Sequence, residues 1–321
     1  SYGAVSADGR TFRDQMYLNP ESFRALGILV KQIHKEGGKA SIQLTHCGYF
    51  SKNKDLRQPL APSRIFNAYG SLSGIFFSRE MDRSHMDRIA EDFARCAEDA
   101  KKAGFDTVEV HMGHGYLLSQ FLSPLTNRRR DEYGGSMENR ARYPLEVVSR
   151  IIERVGHGFP VLVKLNMHDG RRRGFNTGES IYVAGELEKR GCTALVLSGG
   201  FTSKTPFYLM RGKVPLWGMI RNGDSFAEKV TMALFGPFLV RKYKFRENFF
   251  LDQARQVRMA VKMPLAYLGG IDSAKGIDQV LNYGFDLVAV ARALIHDPHF
   301  VNHLKDGSVT RSECNRCNRC V

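Results

Sequence analysis

The segment Lys39-Ala40-Ser41-Ile42-Gln43-Leu44, closed by the turn Thr45-His46-Cys47-Gly48, decides between two folds. It reads as a short strand lying between helical stretches. A doubly wound nucleotide-binding sheet normally places the glycine-rich turn G-x-G-x-x-G directly after its first strand. This turn holds one glycine, and nothing else in the chain matches that pattern. The strand ends instead on Gln43 and His46, two side chains able to hold a ligand. Chemistry gathered at the C-terminal ends of strands is the habit of a (β/α)8 barrel.

The pattern on either side agrees. Asn19-Pro20 reads as an N-cap with proline at the first helical position, and that helix runs to Gly37. From Ser84, apolar side chains at Met86, Ile89, Phe93, Ala97 and Ala100 mark one face of a helix ending at Gly104. Further strands are expected at Thr107–His111, Val161–Leu165, Ala194–Leu197, Pro264–Leu268 and Leu287–Val290. Helices are expected near 137–155, 179–190, 248–262 and 273–283, with a short last one. Short β-rich runs between helices mean parallel strands buried on both faces. Each of the six strands ends on polar or glycine residues: Gln43 and His46, His111 and His114, Lys164 and Asn166, Ser198-Gly199-Gly200, Gly269-Gly270, and Arg292. An α/β barrel forming a single domain over 1–321 is therefore expected, with six of its eight βα units visible.

Composition narrows the function. With 43% hydrophobic and 25% charged residues, disordered and low-complexity classes are excluded. The longest uncharged apolar run, Val230 to Val240, is broken by Gly236-Pro237 and falls short of a membrane span. The net charge of +14 suggests anionic partners. The basic residues fall in short clusters (Arg128-Arg129-Arg130, Arg171-Arg172-Arg173, Arg241 to Arg246) with no nucleic-acid module around them, so no nucleic acid is expected. A phosphate-bearing cofactor, a CoA-type substrate and a merely solvated basic surface all accept the excess. Cys47, Cys96 and Cys192 are scattered singly, which is no disulfide framework and points to a reducing cytoplasm.

The most informative run is Val108-Glu109-Val110-His111-Met112-Gly113-His114-Gly115-Tyr116. Two imidazoles three residues apart, just past a strand, can donate to one ligand oxygen and hold its developing charge. A phenol two residues on can move a proton. A metal pair, or histidines bonded to the backbone of a strand-end loop, fits the same spacing.

This run, its continuation Phe121-Leu122-Ser123-Pro124 through Asn127, Arg129, Asp131, Tyr133-Gly134-Gly135-Ser136 and Asn139-Arg140, and the segments Gln43 to Gly48, Leu268 to Ile271 and Ala291-Arg292 near Asp297-Pro298 resemble the Old Yellow Enzyme family. The resemblance is greatest to its NADH:flavin oxidoreductase and 2,4-dienoyl-CoA-reductase-like branch, and covers nearly the whole chain. It implies an FMN-containing (β/α)8 barrel that takes hydride from NADH or NADPH and reduces an activated alkene. By matching motif, Gln43 meets the pyrimidine edge of the flavin and Lys164 supplies the cation beside it, where the family often has arginine. Gly269, Gly270, Ala291 and Arg292 hold the phosphate, with Ala291 standing where a glycine is usual. His111 and His114 grip the electron-withdrawing group of a small unsaturated, possibly anionic, substrate, and Tyr116 donates the proton. Asn127, Arg129, Asp131 and Asn139 are expected to tie the loop to the following helix.

The insertion 201–247 resembles a cap over the flavin, with Tyr208, Met210 and Trp217 as lid contacts, and a homo-oligomer is expected. Cys314, Cys317 and Cys320 in the tail 312–321 sit where relatives ligate a [4Fe–4S] cluster, but the spacing is tighter and a fourth ligand is missing, so no metal is expected. The same resemblance implies two further βα units ahead of Ser1–Arg10, hence an N-terminally truncated barrel lacking about fifty to sixty residues at roughly 30 per unit. An amine or ether dehydrogenase of the same barrel group, and a non-catalytic basic scaffold, are the competing expectations.

Overall fold

Strands β5 to β7 show how the chain builds its scaffold. Along β5 (Thr107–Met112), Val108, Val110 and Met112 are buried in the main core, while Glu109 and His111 alternate onto the opposite face. In β6 (Val161–Asn166), Val161, Val163 and Leu165 join that core and Lys164 and Asn166 oppose it. In β7 (Ala194–Ser198) the core residues are Leu195 and Leu197. The helices share the core with this one strand face, which is barrel construction and not a doubly wound sheet.

The computed structural model describes residues 2–223 and 226–320. In chain order the elements begin with β1 (Tyr2–Ala4), α1 (Pro20–Lys35), β2 (Ser41–Thr45), β3 (Leu60–Ala61), β4 (Arg79–Glu80) and α2 (Arg83–Lys102). After β5 come α3 (Leu117–Leu122) and α4 (Met137–Val155), and after β6 comes α5 (Thr177–Lys189). Beyond β7 lie α6 (Leu216–Arg221), α7 (Phe226–Leu239), α8 (Leu251–Ala260), β8 (Leu265–Tyr267), α9 (Ala274–Asn282), β9 (Leu287–Val288), α10 (Arg292–His296) and α11 (Phe300–Asp306).

Among the described residues, seven strands pair in parallel in the order β1-β2-β5-β6-β7-β8-β9, with β3 and β4 as a separate parallel pair. All six strands expected from periodicity are present. The seventh, β1, is too short for periodicity to register. It sets Tyr2 opposite Gln43 on β2.

Local chemistry sets the helix ends. Asn19 and Ser22 form a capping box at α1, with Pro20 at its first position. The Asp82 carboxylate accepts from the His85 amide at the start of α2, and Ser136 caps α4. Met86, Ile89, Phe93, Ala97 and Ala100 of α2 are buried, as their helical spacing requires. None of the described helices is long and apolar enough to cross a membrane.

Candidate active site

Parallel pairing stacks inward side chains of neighbouring strands into rows. Tyr2 is opposite Gln43, and Gln43 opposite Glu109. One step higher His111 is opposite Lys164. One further step pairs Asn166 with Ser198. Three polar layers thus rise toward the C-terminal strand ends.

His114 reaches the top layer because the chain reverses after β5. Its own φ is 56° and that of Gly115 is 79°, so the turn passes through left-handed backbone. A Cβ on Gly115 would stand 2.3 Å from the Phe201 ring. The His114 amide donates to Asn166 Oδ1 at 3.1 Å and its Nε2 lies 2.7 Å from Ser198 Oγ. The His111 and His114 rings meet edge to face with centroids 5.0 Å apart, and the His111 and Tyr116 centroids are 4.6 Å apart. The two imidazoles and the phenol expected from sequence therefore form one cluster. Tyr116 opens α3, whose first amide, that of Leu117, donates to the His46 carbonyl at 2.9 Å. The Tyr116 hydroxyl donates to that of Tyr2 at 3.0 Å.

The electrostatics fix the protonation states. Burial, with Lys164 adding like charge, pushes His114 down to about 3. Burial, followed by His114 and Lys164, holds His111 well below the ordinary imidazole value. Both rings are uncharged at neutral pH, each with one N–H to donate. Burial first, then Tyr2, raises the Tyr116 phenol well above its ordinary value, so it stays protonated. Among the described residues His111 Nδ1 is buried with no hydrogen-bond partner, a polar atom placed to meet a ligand.

Beneath this cluster, Glu109 accepts from Gln43 Nε2 and from Lys164 Nζ, the latter at 2.8 Å. Sequence reasoning missed Glu109, although the period-two alternation that turns His111 inward turns residue 109 inward as well. Tyr2 was also missed, since a three-residue strand carries no usable period.

The remaining candidates sit at the ends of β8 and β9. Gly270 has φ 81°, and a Cβ there would meet the Phe249 ring at 2.7 Å. Arg292 follows Ala291 at the start of α10, and its Nη1 donates at 2.8 Å to both the Arg211 carbonyl and Asn318 Oδ1. These are neutral acceptors, which leave its charge available to an anion. Asn318 also donates to the carbonyls of Met210 and Lys213, tying the tail to the insertion. Tyr208 packs against Phe250 at 5.5 Å, whereas Trp217 is 85% exposed. Among the described residues, no group of three or more His, Cys, Asp or Glu is placed to hold a metal ion, the tail cysteines included. Asn127 donates to the carbonyls of Phe121 and Tyr133, Arg129 pairs with Asp131, and Asn139 accepts from Arg142. Asn127, Asp131 and Asn139 act within the loop and helix start, while Arg129 also donates to the carbonyls of Pro62 and Met81 and so ties the loop to the β3 and β4 pair.

Residues 1–199 match the NADH:flavin oxidoreductase / NADH oxidase family. The chain belongs to that family. It is 37% identical over 325 residues to a 4,4'-dithiodibutanoate disulfide reductase of Rhodococcus erythropolis, a likeness covering 100% of this chain and 79% of that protein. It is 29% identical over 300 residues to an NADPH dehydrogenase of Bacillus subtilis, covering 92% of this chain and 75% of the relative. Among solved structures, an Old Yellow Enzyme homologue from Zymomonas mobilis superposes with a TM-score of 0.71 at 20% identity, covering 97% of this chain and 79% of its own. The fold is that of the Old Yellow Enzyme barrels.

This member of the family is a flavin-dependent NAD(P)H oxidoreductase with FMN as its cofactor. Its residues fit that group. The amide of Gln43, the ammonium of Lys164 and an arginine bonded to neutral acceptors are groups of the kind that would hold a flavin ring and a phosphate, and the unpartnered His111 Nδ1 lies above them.

Proposed function

We propose that this oxidoreductase reduces an activated alkene, with His111 and His114 donating to the oxygen of its electron-withdrawing group and Tyr116 delivering the proton to the α-carbon. The observation that carries this reading is the cluster of two uncharged imidazoles and one protonated phenol, with the His111 ring 5.0 Å from that of His114 and 4.6 Å from that of Tyr116 between centroids. Neutral imidazoles can donate hydrogen bonds to the oxygen on which negative charge develops, and a raised phenol is an acid that stays loaded. FMN held there would supply the hydride-transfer chemistry by which NAD(P)H, alkene and one proton give NAD(P)+ and the saturated product.

In this reading Gln43 and Lys164 hold the pyrimidine edge, with Glu109 fixing the orientation of both. The amides around Gly269, Gly270 and Ala291 and the side chain of Arg292 hold the phosphate. The segment 201–247 shapes the substrate space. The test is an anaerobic cycle in which NADPH or NADH bleaches the yellow holoenzyme and 2-cyclohexenone restores it. A bleached enzyme that the enone never reoxidises would overturn the reading.

A second reading is favoured by the 37% identity to a disulfide reductase over the full chain. Here the hydride and the Tyr116 proton would cleave an S–S bond into two thiols. Thiol release from 4,4'-dithiodibutanoate, run beside the enone assay, separates the two.

A further inference from the structure

A groove of about 1600 Å³ opens between the segment 202–240 and the loop carrying Phe50, Tyr69 and Leu72. It begins one ring away from the reacting cluster. Phe50, in its wall, packs on Tyr116 with centroids 6.0 Å apart and on Tyr69 at 4.3 Å. From the other side, the Thr202 amide donates to the His114 carbonyl at 2.9 Å, and Ser203 Oγ lies 2.5 Å from the Tyr49 hydroxyl. The groove thus adjoins the reacting cluster through Phe50 and Thr202, so that the body of a long substrate held at His114 and Tyr116 would meet it.

The lining has two characters. Phe50, Leu72, Leu216, Trp217, Met219 and Met232 give it an apolar floor. Its charged residues among those described are Lys52, Lys204, Lys213, Arg221, Arg319 and one acid, Glu228. Among the described residues, cations outnumber acids in this lining, with Lys204, Lys213, Arg221 and Arg319 along its rim. Lys204 belongs to it directly: it lies three residues after Phe201, its ammonium is 5.9 Å from the Phe201 ring, and the charges that act on it are those of Arg171 and Arg128 and, opposing them, the carboxyl of Asp169. Apolar floor and cationic rim together select an amphipathic anion.

We infer that this groove binds the distal part of the substrate, an apolar chain ending in an anionic group, with Lys204 as a principal contact for that group. The inference rests on the reading of His111, His114 and Tyr116 as the reacting centre, and it adds a substrate class to it. Carboxylate and phosphate ends share the required chemistry.

Trp217 is the single tryptophan of the chain and lines the groove, so its fluorescence reports occupancy without any turnover. The experiment titrates the FMN holoenzyme at low salt with octanoate, octyl phosphate and 1-octanol. The expected result is saturable quenching or shift by one or both anions, at concentrations at least about tenfold below those needed for octanol, and weakening at high salt. Which anion binds more tightly identifies the end group. Lys204→Ala, shown to be folded by its bound-flavin spectrum, should weaken the anion response by about tenfold, and Lys204→Arg should retain it. If Lys204→Ala fails to fold, Lys213→Ala and the salt dependence of the wild type carry the test. Equal responses to octanol and the anions, or no response to any of them, would overturn the inference. An enzyme that binds the anions but reduces no enone counts against the proposed reaction and leaves the groove standing.

Discussion

The phenol of Tyr116 donates to that of Tyr2 across 3.0 Å, with the two rings edge to face at 5.5 Å. The bond joins the loop after β5 to the first strand, and it gives the proposed proton donor a neighbour through which to be reprotonated. Tyr116→Phe should lower enone turnover by at least about 10²-fold, the usual contribution of a positioned acid, while flavin reduction by NADPH proceeds. Stopped-flow measurement of the two half-reactions checks the split.

Tyr2→Phe should have a smaller effect with a distinctive pH signature. Because Tyr2 is among the causes that raise Tyr116, its loss lowers the Tyr116 value. The alkaline limb of kcat should then move to lower pH than in the wild type. A pH profile identical to the wild type would count against the relay.

The histidines should show no titration in the working range. Burial pushes His114 down to about 3, so it stays uncharged from about pH 5 upward, and the same burial displaces His111 in the same direction. Enone KM should be flat between pH 5.5 and 8 as far as these groups are concerned. His114→Ala should raise KM by about tenfold or more through the lost donor. A break in KM near the ordinary imidazole value would contradict the neutral pair.

Asp169 gives a stability test. It accepts from Ser123 Oγ at 2.6 Å and from the Phe175 amide at 2.9 Å, yet burial pushes it up to about 6. A carboxyl raised in the folded state favours folding while protonated, and that contribution is lost as pH rises from about 4 to 6. The loss is about 3 kcal/mol. Asp169→Asn should remove this part of the slope in urea unfolding compared between pH 4 and 7. Its absolute stability should fall, because Asn166 Nδ2, now 3.3 Å from Asp169 Oδ1, would lose its carboxylate acceptor.

Gly115→Ala tests the turn that aims His114. With φ at 79° and the Phe201 ring in the way, a methyl group there should cost about 1–3 kcal/mol and displace the imidazole. Thermal unfolding and enone KM should both respond.

The barrel class was legible because strand ends carry function: Gln43, His111, His114 and Lys164 mark those ends in the sequence itself. The long helices were legible through caps such as Asn19-Pro20 and through apolar spacing such as that in α2. What stayed hidden depends on register. No local pattern says that Tyr2 will lie opposite Gln43, that Glu109 will take both Gln43 and Lys164, or that Asn166 and Ser198 will converge on His114. Those are pairings between segments distant in the chain, set by how the strands align. The insertion was legible as an irregular segment, but not its helices α6 and α7 or the groove they line, because its apolar residues do not follow one clean period.

The central claim is that the His111, His114 and Tyr116 cluster directs hydride and proton onto the two carbons of an activated alkene. Its most direct test is the fate of the label when the FMN holoenzyme reduces 2-cyclohexenone with NADPH deuterated at the transferable position. The expected product is cyclohexanone with deuterium at the former β-carbon and a solvent-derived hydrogen at the α-carbon. A recovered, unreduced enone, or a product without deuterium at the β-carbon, would contradict it.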